Sequence, residues 1–141
     1  MKLSLINQSV LILLFAALSG LFTPAFSAEN LFEGESWVKK KYSIKGDYKI
    51  VEENGKTLLV LGPSFKTKGG PDLKLFLSPL SISEVNGRNA TRDSVLISKL
   101  KSSKGSQTYE IPAGVDLSQF QSLVIHCERF SVLWGGVSIQ G

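Results

Sequence analysis

The chain has 141 residues, is 43% hydrophobic, and carries 16 basic against 12 acidic side chains, for a net charge of +4. The basic residues are scattered apart from Lys39-Lys40-Lys41, a run that reads as a solvated strand face, and few aromatics are interleaved with it, which argues against a nucleic-acid partner. One cysteine and one histidine exclude an internal disulfide, a Cys-x-x-Cys redox motif and a structural zinc site with its four N/S ligands, so no metal site is expected.

The chain opens on a leader. Met1-Lys2 is a small basic start, Val10 to Phe22 is nearly all apolar, and Thr23-Pro24-Ala25-Phe26-Ser27 is the exit. This is the layout of a secretory signal peptide over residues 1–27, with Ala25 and Ser27 at the small-residue positions of a cut before Ala28. An uncleaved anchor is the alternative, and the break at Pro24 speaks against it. Residues 28–141 then form one domain, exported to the periplasm or beyond the cell. No later run is apolar for long enough to span a bilayer, so no membrane span is expected after cleavage.

The domain reads as short strands. Trp37-Val38 with Tyr42 to Ile44, then Tyr48 to Val51, are separated by a Gly46-Asp47 turn. Asn54-Gly55 between β-rich stretches predicts a tight hairpin into Thr57 to Leu61. Gly69-Gly70-Pro71-Asp72 turns into Leu73 to Leu77, with Asp72 as a turn-stabilising carboxylate. Residues 78–94 are a long polar connection, of the kind that is functional or mobile. Val95 to Ile97 and Gln107 to Ile111 are two more strands, and Asp116 is placed to cap one helical turn ending at Phe120. Leu123 to Cys127 is a strand, and a last one runs from Val132 to Ile139 across Gly135-Gly136, which signals a bulge or a close backbone approach. About eight short strands and no sustained 3.6-residue period predict an all-β, antiparallel sandwich or barrel-like fold.

Leu-Val-Ile-His-Cys at 123–127 holds both the histidine and the cysteine. Side chains alternate faces along a strand, so Leu123, Ile125 and Cys127 share one face and Val124 and His126 the other. His126 is therefore badly placed to serve Cys127 as base or co-ligand, and a cysteine hydrolase is not expected. Three roles stay open for Cys127. It is a small buried residue, a reactive or reversibly oxidised thiol at a strand end, or a thiolate ligand to haem. If it is exposed on a flat face, a dimer bridged through Cys127 follows.

The order of motifs carries a resemblance. Gly70-Pro71-Asp72-Leu73-Lys74-Leu75-Phe76-Leu77-Ser78 is followed by Tyr109-x-Ile111-Pro112, Asp116-Leu117, Phe120, Leu123 to Glu128, Phe130-Ser131-Val132 and Trp134-Gly135. Over about residues 32–141 this resembles the DM-thirteen domain family, a β-rich extracellular or periplasmic module with a single cysteine. The resemblance implies a part in electron transfer or oxidative modification at the cell envelope. It assigns Cys127 the redox role, as a bare thiol or a haem ligand, with a separate envelope protein as partner. Trp37 and Trp134 themselves read as core or rim packing, though an aromatic near Cys127, Trp134 above all, would suit a prosthetic-group pocket. His126 and Trp134 depart from the pattern, at positions where an aromatic and a phenylalanine are usual. The alternative expectation is a non-catalytic envelope binding or adhesion module with Cys127 as a structural thiol.

Overall fold

The computed structural model describes residues 27–140, together with Gly20. The leader read at residues 1–27 lies almost wholly outside the described residues.

Two sheets face each other. The first has the order β1 (Glu29–Gly34), β4 (Tyr48–Glu53), β5 (Lys56–Leu61), β9 (Gln107–Glu110). The second has the order β2 (Val38–Lys39), β11 (Val132–Ser138), β10 (Ser122–Cys127), β7 (Leu73–Ser78), β8 (Val95–Lys99). A two-stranded ribbon, β3 (Ile44–Lys45) with β6 (Lys66–Thr67), sits beside them. Every pairing within the sheets is antiparallel, and the sheets stay open at their edges, so the fold is a sandwich and not a closed barrel.

The strands form where alternation is clean. In β4 and β5, Tyr48, Ile50, Leu59 and Leu61 are buried between the sheets. Asn54 and Gly55 have φ of 53° and 76°, the left-handed pair that a two-residue hairpin needs. From the second sheet, Leu73, Leu75, Leu77, Leu123, Ile125 and Cys127 fill the same core. Asp116 caps a short 3-10 turn, Leu117–Gln119, by accepting the Ser118 N–H at 3.0 Å, which is the role its position predicts.

Residues 79–94, the long connection, pack on the domain. They bury Val85 and Ala90, with Leu80 and Ile82, against Phe76, Val124 and Leu133 on the outer face of the second sheet. Every residue of β10 is therefore buried, because one face packs on the main core and the other lies under this cover. A continuous apolar run is what such a two-sided strand requires.

Candidate functional site

Cys127 ends β10, paired with Leu73 of β7 on one side and Val132 of β11 on the other. It is 0% exposed and belongs to the main core with Leu73, Leu75, Ile125 and Trp134. His126 lies on the opposite face, paired with Lys74 and Leu133, its ring edge-on to Phe76 at 6.2 Å. The alternation along β10 thus separates the two residues as their spacing predicts. His126 is 2% exposed, and its Nδ1 has no hydrogen-bond partner among the described residues. Burial holds the imidazole below its usual range; Glu128 and Asp72 oppose that shift and Lys74 adds to it.

The bulge signalled by the paired glycines is real, and it lies on the partner strand. Ile125 pairs with Gly135 and His126 with Leu133, which leaves Trp134 as the extra residue. The bulge turns Trp134 into the main core, 5% exposed, with Nε1 donating to the Lys68 carbonyl at 2.8 Å. Its own carbonyl accepts the N–H groups of Lys40, Lys41 and Tyr42 at 3.1, 3.0 and 3.2 Å. Its ring lies 4.5 Å from the half-buried Tyr42 ring, at 52°. Gly70 rests on the indole, where a Cβ would stand 3.0 Å from the ring. Trp134 is therefore packed beside the core that holds Cys127, and through Tyr42 it leads to the surface.

The turn Glu128 to Ser131, which follows Cys127, is tied down by the residues that open β7. Asp72 accepts the Glu128 N–H through its main-chain carbonyl at 3.2 Å and the Arg129 N–H through Oδ2 at 2.9 Å. Lys74 Nζ lies 3.0 Å from Glu128 and 3.5 Å from Asp72, and these carboxylates hold its ammonium above the usual lysine range, the hydrogen bond to Glu128 first. Asp72 is the turn-stabilising carboxylate its Pro-Asp context predicts. The reach of that clamp, over the strand end that carries Cys127, was missed. Lys74 carried a signal, since a lysine among Leu73, Leu75, Phe76 and Leu77 needs a partner.

This packing bears on the roles left open for the thiol. A haem ligand must present its sulfur to a porphyrin-sized space. Cys127 is fully enclosed and lines none of the five surface cavities of about 290–420 Å3 described for the domain. Nearby, a cavity of about 300 Å3 is walled by Val132 and Trp134, which stand between it and the core. These residues do not fit haem, and Trp134 does not wall a pocket that reaches the sulfur. A dimer bridged through Cys127 is likewise at odds with an enclosed thiol. Among the described residues, no cluster of three or more His, Cys, Asp or Glu side chains is arranged to hold a metal ion.

Fold and site together define a small open β-sandwich with one enclosed cysteine at the end of its central strand. A family model described as "Electron transfer DM13" matches residues 36–139, and the chain belongs to that family. No curated protein and no solved structure matches it.

Proposed function

We propose that the chain is an exported module taking part in electron transfer or oxidative modification in the cell envelope, with Cys127 as its redox group and a separate envelope protein as its partner. The leader-like residues 1–27 support export. Among the described residues, no helix is long and apolar enough to cross a membrane. The observation that carries the redox reading is the joint placement of Cys127 and Trp134 in one core, with the Trp134 ring tilted against the half-buried Tyr42 ring at 4.5 Å. Electron loss from the thiol forms no bond at sulfur: one electron passes to the partner protein, the thiol proton passes to water, and the return of both restores the thiol, whereas a new bond to sulfur needs an open approach. The bare thiol is accordingly the form of the proposal that the packing supports.

The test is film voltammetry of the mature protein purified from its native host, with Cys127→Ala and Trp134→Phe beside it. A reversible couple is expected in the wild type, absent in Cys127→Ala and slowed in Trp134→Phe. A couple that persists unchanged in Cys127→Ala removes Cys127 from the chemistry.

A second reading has its own observation. Leu123, Ile125 and Cys127 form one buried row, and a small thiol at 0% exposure packs there as a hydrophobe would. Under that reading the chain is a non-catalytic envelope binding module. It predicts no couple in the accessible range for any of the three proteins.

A further inference from the structure

Two cavities adjoin on one face of the sandwich, of about 290 and 300 Å3, and share Tyr42 and Lys68. The first adds Lys45 and Lys66 to the wall, and the second adds Lys41 and Phe130. No carboxylate lines either cavity. The ion pairs among the described residues use Lys56 and Lys74 only, so these four lysines have no carboxylate partner within 4 Å. Lys68 Nζ instead sits 4.6 Å from the centre of the Tyr42 ring. Phe130 is 61% exposed, an uncovered aromatic that walls the second cavity with Lys41 and Lys68. The turn that carries it is pinned by Asp72 and Lys74, so its backbone is held in place.

We propose that these adjoining cavities bind a planar aromatic anion, one or two fused rings bearing a carboxylate, sulfonate or phosphate. The acid group lies between Lys41 and Lys68 and the ring lies against Phe130. Each cavity is at the small end of ligand sites, about 300–1000 Å3, which suits a ligand of that size. A concave wall of aromatic and ammonium groups with no competing carboxylate selects such a molecule over a cationic or a purely apolar one. This site shares Tyr42 and Trp134 with the proposed electron path but does not rest on it. Binding needs no redox step, and either can fail alone.

The probe is naphthalene-2-sulfonate, titrated into the mature protein and followed by amide NMR shifts, with neutral 2-naphthol as its comparison. Saturable one-to-one binding is expected, with the largest shifts at Tyr42, Lys68 and Phe130. Lys41→Gln, Lys68→Gln and Phe130→Ala should each weaken it about tenfold, roughly what one lost charge-assisted contact is worth. Lys49→Gln, an exposed lysine on β4, should leave it unchanged. All four side chains are exposed, and the Lys68 group that bonds Trp134 is its main-chain carbonyl, so the variants are expected to keep the wild-type melting temperature. Lack of saturation at about 1 mM, equal binding of 2-naphthol, or equal weakening by Lys49→Gln would each overturn the site. So would binding of polyglutamate but not of the sulfonate, which would make the face a docking surface for an acidic protein.

Discussion

Replacing Asp72 with alanine tests whether the turn over Cys127 acts as its gate. The substitution removes the acceptor of the Arg129 N–H at 2.9 Å and one of the two carboxylates near Lys74. It leaves the main-chain bond from Glu128 to residue 72 and the Lys74–Glu128 pair in place. A hydrogen bond to a charged group is worth about 1.5–3 kcal/mol, and the Asp72 side chain is 22% exposed, so the lower figure of about 1.5 kcal/mol applies. If opening of Glu128 to Ser131 exposes the sulfur, the open population rises about tenfold. The assay is the rate of maleimide labelling of Cys127 in native buffer and at low urea, in the regime where reclosing outpaces labelling. Wild type should label slowly with a shallow urea dependence, and Asp72→Ala about tenfold faster with the same shallow slope. Asp72→Asn keeps an acceptor oxygen and should fall between them. Should labelling in all three proteins follow the full slope of global unfolding, the sulfur is reached only by complete unfolding. The gate would then be refuted, and the structural reading of Cys127 would gain.

Three further outcomes follow from the same geometry. Cys127→Ala should cost about 1 kcal/mol as a small cavity, and Cys127→Ser about 2–3 kcal/mol because its hydroxyl is buried among apolar groups; equal urea midpoints would show that the site is less enclosed than described. His126 binds its proton more weakly in the folded chain than in the unfolded one. Its contribution to stability is therefore whole above about pH 6.5 and is lost as the pH falls from there through the lowered native value. Urea midpoints between about pH 7.5 and 5.5 should decline in the wild type and flatten in His126→Leu, and parallel curves would remove His126 as the cause. A Cβ on Gly136 would stand 2.6 Å from the Leu123 carbonyl oxygen and 2.7 Å from Ile82, so Gly136→Ala should cost about 1–3 kcal/mol in denaturant unfolding.

Much of the fold was legible because its strands alternate and its turns have distinctive chemistry. Asn54-Gly55, Leu73 to Leu77, Gln107 to Glu110 and Leu123 to Cys127 all fall where the sequence places them. β1 was not legible. Glu-Asn-Leu-Phe-Glu-Gly has two apolar residues, both half-buried, and it joins the sheet through backbone pairing with β4. The two-residue strands β2, β3 and β6 are shorter than any periodicity can reveal. The cover formed by residues 79–94 was hidden because its buried side chains, Val85 and Ala90, are small and separated by polar turn residues. At the site, alternation correctly set Cys127 and His126 on opposite faces, and the paired glycines correctly signalled a bulge. Burial could not be read. A strand-end cysteine beside Glu128 and Arg129 looks open in sequence. What encloses it is the core between the sheets, and Asp72, bonded to Arg129, 57 positions away in the chain, ties down the turn that follows it.

The burial of Cys127 separates two kinds of redox chemistry. Sulfenic acid formation, disulfide exchange and haem coordination all make a bond to sulfur, and each needs a partner atom at the thiol. In the closed sandwich that place is taken by the apolar core in which Cys127 is fully enclosed. Electron exchange through packed groups makes no such demand, and there the indole in the same core is an asset because its ring lies 4.5 Å from the half-buried Tyr42 ring. The two routes make opposite demands on the clamp at Asp72. Bond-forming chemistry should accelerate when the turn is loosened, as labelling does. Exchange through Trp134 and Tyr42 should be indifferent to the turn and sensitive to Trp134→Phe. Where the couple is lost in Cys127→Ala, measuring both rates in both variants therefore assigns the route.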